Sequence, residues 1–206
     1  LNRPADQNWY PDPKLTKALR AIVKCCPEGA RVLDLGCGNG RLLMALRDEK
    51  GCDVRGIEFS EAGAKLCVEK GLDVRHANVD DHLRNDDLRA FIFDSYDVVC
   101  STKAFQYFET KNQIMRDLPA PIFFFQHNNN LYWKHARKWM TQGPAFARDI
   151  ASGEFRTADG EAVLCTPSGF ANWARSYGFE SKVIYGGHIL AGAVVMRFTR
   201  NAEPDL

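Results

Sequence analysis

No stretch of this sequence is long and apolar enough to span a bilayer. A spanning helix needs about 20 apolar residues. The longest apolar runs here are Ile122–Phe125 and Ile189–Met196, the second interrupted by Gly192. The opening segment LNRPADQNWYPDP lacks the apolar centre of a secretory signal. Neither charge sign is in excess: 27 Lys and Arg face 26 Asp and Glu, for a net charge of +1. A strongly electropositive nucleic-acid binder is thereby disfavoured, because phosphate neutralisation needs a basic surplus or stripe. Repeats and low-complexity tracts are missing, which argues against a solenoid or a disordered chain. Closely spaced metal-binding pairs are missing too. The cysteines at 25, 26, 37, 52, 67, 100 and 165 form no C-x-x-C, the spacing a structural zinc site prefers. Most of them sit inside apolar patterns such as Asp97-Val-Val-Cys100. They read as small buried hydrophobes carrying reduced thiols, which points to the cytoplasm.

What is present is an ordinary globular balance, with 45% hydrophobic and 26% charged residues over 206 positions. That suffices for one domain, residues 1–206, with one sizeable core. Residues 1–13 are polar and proline-rich and read as an arm. Lys14 to Cys25 carries Leu15, Ala18, Leu19 and Ile22 at helical spacing, and Pro27-Glu-Gly29 stops it. The period then changes. Arg31–Leu35 reads as a strand, 41–50 as a helix, 53–59 as a strand, 61–70 as a helix capped by Ser60, and 72–77 as a strand. This alternation predicts a parallel sheet covered on both faces. Further strands are predicted at 96–101, 122–126, 182–185 and 193–199, the last two as an edge pair. Helices are predicted near 111–118, over the amphipathic 131–140, and at 168–177. Asp159-Gly160 marks a hairpin-type turn.

The informative region is 32–80. A strand enters Gly36-Cys-Gly38-Asn-Gly40 and a helix leaves it, so backbone N–H groups gather at a helix N-terminus and suit an anionic or carboxylate group. The dinucleotide fingerprint G-x-G-x-x-G needs its third glycine at position 41, where Arg41 stands. The pattern is instead Asp34-x-Gly36-x-Gly38-x-Gly40. Glu58 ends the second strand, where a carboxylate can accept both hydroxyls of a ribose. Glycine turn and acid together predict a nucleoside-containing cofactor. The plainer alternative is a helix cap beside a surface acid.

VLDLGCGNG followed by GIEFS resembles the cofactor-binding core of class I S-adenosylmethionine-dependent methyltransferases. VLDLGCGNGRLL, Gly56-Ile-Glu58, SYDVV at 95–99, Tyr132-Trp133 and Leu164-Cys165-Thr166 before Phe170 are similar to the methionine biosynthesis protein MetW family. The resemblance covers roughly residues 28–185 and implies a Rossmann-like, seven-stranded, mostly parallel α/β sheet with helices on both faces. It implies S-adenosyl-L-methionine as cofactor. Gly36, Gly38 and Gly40 would line its methionine moiety, Asp34 would orient the loop or reach the ammonium, and Glu58 would hold the ribose. Cys37, Asn39, Phe59, Val79 and Ser101 complete the expected contacts. The adenine position, commonly Asp in such proteins, is Asn78 here, with Asp80 or Asp81 available to compensate.

Methyl transfer from a sulfonium is an in-line displacement, so the protein supplies positioning and, where needed, a base. Ligands sit beyond the carboxyl ends of the strands, at Ser101-Thr102-Lys103 and Gln126-His127-Asn128-Asn129-Asn130. His127 is the candidate general base. Tyr107 could orient a substrate or shield the sulfonium; the plain readings are a loop-bonded histidine and a core aromatic. His188 is a lesser candidate. The Asn/Asp-Pro-Pro-aromatic loop of adenine amino-methyltransferases and the Pro-Cys of cytosine-C5 enzymes are both missing, which leaves a small-molecule acceptor. Two functions stay in play. One is a cytoplasmic methyltransferase whose acceptor has diverged from the branch. The other, implied by the resemblance, is a non-catalytic or regulatory partner of a homoserine acyltransferase in methionine biosynthesis. The basic segment 131–148 with Trp133 and Trp139, and the acidic segment 80–97, read as solvated faces that could also steer a partner. A homodimer is left open.

Overall fold

The computed structural model describes residues 14–128, 154–156, 162–164, 167–186 and 193–201. Helix α1 (Lys17–Cys25) starts later than its apolar spacing suggests, because the Thr16 hydroxyl accepts from Leu19 N–H and caps it. Its apolar face, Ala18, Leu19, Ile22 and Val23, is buried. Strand β1 (Arg31–Leu35), helix α2 (Arg41–Lys50), strand β2 (Asp53–Glu58), helix α3 (Glu61–Glu69) and strand β3 (Asp73–His76) follow the expected alternation. Strand β2 ends at Glu58, since Ser60 immediately caps α3 by accepting from Gly63 N–H.

Residues 78–95, for which the sequence predicts no element, hold a 3-10 turn (Val79–Leu83) and a short helix α4 (Asp86–Ile92) capped by Asn85. The few apolar residues of both, such as Leu88, Phe91 and Ile92, are set among the acids of the 80–97 segment, which read as a solvated face. Strand β4 (Val98–Thr102), helix α5 (Lys111–Asp117) and strand β5 (Ile122–Asn128) come next. Strands β6 (Glu154–Arg156) and β7 (Ala162–Leu164) pair antiparallel as a separate two-stranded sheet. The Asp159-Gly160 turn between them and the amphipathic 131–140 segment lie outside the described residues, as does the 1–13 arm. Helix α6 (Pro167–Arg175) precedes strands β8 (Phe179–Tyr185) and β9 (Ala193–Arg200).

The main sheet has seven strands in the order β3-β2-β1-β4-β5-β9-β8. The first five run parallel, and β9 lies antiparallel between β5 and the edge strand β8. Strand order reverses between β1 and β4, so a crevice opens where their carboxyl ends part company. Side chains alternate across the sheet. Leu33, Leu35, Phe123, Phe125 and Phe198 face α4, α5 and α6. Val32, Val98, Cys100, Phe124 and Val195 face α1, α2 and α3. A sheet covered twice explains the unbroken Ile122–Phe125 run, since both faces of the strand are dry. Cys26, Cys37, Cys52, Cys67 and Cys100 are buried free thiols within this packing. Among the described residues no helix is long and apolar enough to cross a membrane.

Candidate functional site

The carboxyl end of β1 turns at Gly36, whose φ is 79°. An L side chain is disfavoured there, and a Cβ would also collide with that of Ala104, just beyond β4. The N–H groups of Gly36 and Cys37 both donate to the Ile57 carbonyl, at 2.8 and 3.0 Å, and fasten the loop to β2. Gly40 N–H donates to the Cys37 carbonyl at 3.1 Å and closes a tight turn. Gly40 then caps α2 with φ 76°, and a Cβ on it would strike Leu72.

Glu58 is nearly buried at the end of β2, and both of its carboxylate oxygens have backbone donors. Oε2 accepts from Gly38 N–H at 2.7 Å and Oε1 from Ser60 N–H at 2.8 Å. The carboxylate is thus fixed in place, and a carboxylate only accepts, as the hydroxyls of a ribose require. Helix α3 braces the loop from behind. The Cys67 thiol donates to the Gly38 carbonyl at 3.3 Å, and the Lys70 ammonium donates to the Asn39 carbonyl at 2.7 Å. The Cys37 and Cys67 thiols share a hydrogen bond, which raises the Cys37 thiol well above its ordinary value, helped by burial, and lowers that of Cys67.

Asp34 sits beneath this loop with a fully buried side chain and no hydrogen-bond partner on either oxygen. Burial, and secondarily the charge of Glu58, push its carboxyl up to about 8. A dry, unpaired acid is costly to ionise. It becomes favourable when a cation arrives, so Asp34 is suited to an ammonium.

On the β2–β3 side, Phe59 is 67% exposed and its carbonyl is hydrogen-bonded to His76 Nε2. An open aromatic face next to Glu58 suits a planar base. Asn78 spends its Oδ1 on Asp80 N–H, capping the 3-10 turn. Asp80 is committed further: it accepts from Thr110 N–H, Thr110 Oγ1 and Glu109 N–H and so anchors the start of α5. Its carboxylate, from which the sequence expects a compensating adenine contact, is engaged by these three donors of the fold. Val79 is buried in the core. Ser101 is buried as well, and its hydroxyl donates to the Leu35 carbonyl at 2.7 Å, tying β4 to β1 below the crevice.

At the end of β4, Lys103 adopts φ 62°, the one non-glycine in the left-handed region among the described residues. Its N–H donates to the Gln126 carbonyl, and its own carbonyl accepts from Gln106 Nε2. Backbone strain held this firmly is typical of ligand-facing loops. Gln126 itself is almost wholly buried, with its side-chain oxygen unpartnered.

The two expected chemical residues occupy different settings. Tyr107 stands 64% exposed on the 3-10 turn Phe105–Tyr107, while its neighbour Phe105 enters the core. The plain reading of Tyr107 as a core aromatic therefore gives way to an open ring on the rim. His127 is buried on β5, its ring 6.0 Å from that of Phe125 and 5.5 Å from that of Phe170 on α6. It faces the α4–α6 layer, whereas Asp34, in register with Cys100, faces the α1–α3 layer. The structure brings Asp34, Gly36, Cys37, Gly38, Asn39, Gly40, Glu58 and Phe59 into one cradle and sets Tyr107 and His127 at separate points. His188, Asn129, Asn130, Trp133 and Trp139 lie outside the described residues. Sequence reasoning missed Lys70. Its one signal is position: it closes α3 three residues after Cys67, at the end of the helix that meets the loop.

Known proteins bear on this geometry. A methyltransferase solved with the Trm112 activator of Haloferax volcanii superposes with a TM-score of 0.62 at 18% identity, covering 91% of this chain and 89% of the other. A SAM-dependent methyltransferase from Bacteroides fragilis, in complex with S-adenosyl-L-homocysteine, gives 0.63 at 16% identity over 93% and 80%. One from Archaeoglobus fulgidus gives 0.63 at 13% over 88% and 91%. At these identities the likeness establishes the class I methyltransferase fold. In sequence, the chain is 31% identical over 134 residues to the bifunctional methionine biosynthesis protein MetXA/MetW of Rhodopirellula baltica. That match covers 57% of this chain but only 21% of the relative, so the chain spans about a fifth of that protein. The profile of the methionine biosynthesis protein MetW matches residues 16–149, which take in the glycine loop, Glu58 and both crevice strands. The chain belongs to the MetW family.

Proposed function

We propose that this chain binds S-adenosyl-L-methionine in the β1–α2 cradle and transfers its methyl group to a small-molecule acceptor. The observation that carries the reading is the pairing of a fixed, backbone-held Glu58 carboxylate with an orphaned, buried Asp34 on the two sides of one glycine turn. A ligand with a diol at one end and an ammonium at the other satisfies both. The residues present fit the cofactor on that ground.

When bound, the cofactor supplies a sulfonium whose methyl is already electrophilic. The chain's own part is positioning. Glu58 accepts the ribose hydroxyls, and Asp34, on ionising, holds the ammonium. Phe59 offers its ring to the adenine and Asn78 its amide edge. The strained turn at Lys103 and the open ring of Tyr107 shape the acceptor side of the crevice. His127, with its imidazole packed against Phe170, is the group available to take a proton near the end of β5. The reading keeps 1–206 as one domain with an arm at 1–13, and the buried free thiols favour a reducing compartment such as the cytoplasm.

A second reading has its own support. The Rhodopirellula relative joins a MetXA and a MetW part in one chain, which favours a MetW-type role beside a homoserine acyltransferase. One experiment separates the two. The purified chain is incubated with methyl-labelled S-adenosylmethionine and a small-molecule extract, alone and with the acyltransferase. S-adenosylhomocysteine formed by the chain alone supports the enzyme. Cofactor bound but never turned over, with a stable complex formed, supports the partner role.

A further inference from the structure

The clamp that α3 places on the glycine loop has a directional consequence. The Cys67 thiol grips the oxygen of the Gly38–Asn39 peptide, and Lys70 grips the oxygen of the Asn39–Gly40 peptide. No peptide in the described chain is cis, so each N–H points opposite to its own carbonyl. The Asn39–Gly40 plane is held at both ends, by Lys70 on the oxygen and by the Cys37 carbonyl on the N–H. The Gly38–Asn39 plane is held at one end only. Its N–H, that of Asn39, points away from α3, and no acceptor for it is found among the described residues.

The Lys70 side chain makes no ion pair among the described residues and is extended to a loop carbonyl. Ordering a long side chain is entropically unfavourable, and a charge-assisted bond to one backbone oxygen offsets it only by fixing that peptide. Resting on the cofactor reading above, we infer that Lys70 is a positioning residue for the amino-acid end of the nucleoside ligand. By pinning the Asn39–Gly40 peptide next to the Gly38–Asn39 peptide that Cys67 holds, it steadies the turn that presents the Asn39 N–H to the ligand's carboxylate. The adenosine end, governed by Glu58 and Phe59, lies outside its reach.

Two ligands distinguish the ends. S-adenosylhomocysteine carries the amino-acid group and 5′-methylthioadenosine lacks it. Calorimetric titration of both is made on the wild-type chain and on Lys70→Met and Lys70→Arg. Lys70→Met should weaken S-adenosylhomocysteine by roughly tenfold, the scale of one charge-assisted hydrogen bond. It should leave 5′-methylthioadenosine within about twofold, inside ordinary context variation. Lys70→Arg keeps a cationic donor and should recover most of the affinity. Unchanged S-adenosylhomocysteine binding in Lys70→Met overturns the inference. So does equal weakening of both ligands, which marks a general structural role. Cys67→Ala removes the other grip and gives the same test if Lys70→Met fails to fold. A wild-type chain that binds neither ligand overturns the cofactor reading and this inference together.

Discussion

The buried carboxyl of Asp34 makes a prediction that joins stability, pH and ligand binding. Its side chain is fully buried and unpartnered, and its carboxyl is pushed up to about 8. In the unfolded chain the same group titrates near roughly 3.9. Between those two values the folded state holds a proton that the unfolded state has released, so stability falls as pH rises through that window. At pH 7 the loss reaches about 4 kcal/mol at most, from some three pH units at about 1.4 kcal/mol each. Asp34→Asn cannot ionise. It should raise the melting temperature of the ligand-free protein at pH 7, with the gain shrinking to nothing near pH 4. Binding of an ammonium ligand reverses the logic, because the ionised acid is then the favoured form. S-adenosylhomocysteine should release close to one proton on binding between pH 6 and 7, and Asp34→Asn should abolish that release and weaken binding. The assay is thermal unfolding across pH 4–8, combined with calorimetry in two buffers of different ionisation enthalpy. Identical melting curves for wild type and Asp34→Asn at pH 7, together with no proton release, would refute the argument.

Three further outcomes follow from the same geometry. Glu58→Ala removes the acceptor held by Gly38 and Ser60, and S-adenosylhomocysteine affinity should fall by about 1.5–3 kcal/mol, the range for hydrogen bonds to a charged group; unchanged affinity in calorimetry removes Glu58 from the site. Asp80→Ala breaks three bonds to Glu109 and Thr110 and should cost about 2–3 kcal/mol in urea unfolding while leaving ligand affinity nearly intact; a selective loss of affinity would return Asp80 to the adenine site. His127→Ala should lower turnover of labelled S-adenosylmethionine and leave S-adenosylhomocysteine binding unaltered, and full turnover would make His127 a packing residue against Phe170.

The glycine-loop side of the candidate site was legible because its turn chemistry is local in sequence. The turn conformation at Gly36 and Gly40 admits few residues, and Glu58 reaches the loop simply by ending the adjacent strand. The parallel core was legible for a similar reason, since dry strands such as Ile122–Phe125 admit no polar alternation. Helix α4 escaped although Leu88, Phe91 and Ile92 stand at helical spacing, because the acids of the 80–97 segment around them read as a solvated face. The fold's use of Asp80 was not legible, because an acid after β3 looks the same in sequence whether it faces a ligand or caps a distant loop, and only the fold brings Thr110 to it. Lys70 escaped for the same reason, its partner Asn39 being distant in the chain. The acceptor side is the least legible of all. Lys103, Gln126 and His127 come from two strand ends and Tyr107 from the turn that follows one of them, a spacing that no local pattern encodes.

The most direct test of the central claim is calorimetric titration of the purified chain with S-adenosylmethionine and S-adenosylhomocysteine, with Glu58→Ala as the control. The account expects both ligands to bind the wild-type chain in the micromolar range, at one site, and the variant to bind each more weakly. Absence of heat for both ligands on the folded wild-type chain, or equal affinity in the variant, would contradict the assignment of the β1–α2 cradle as a nucleoside site.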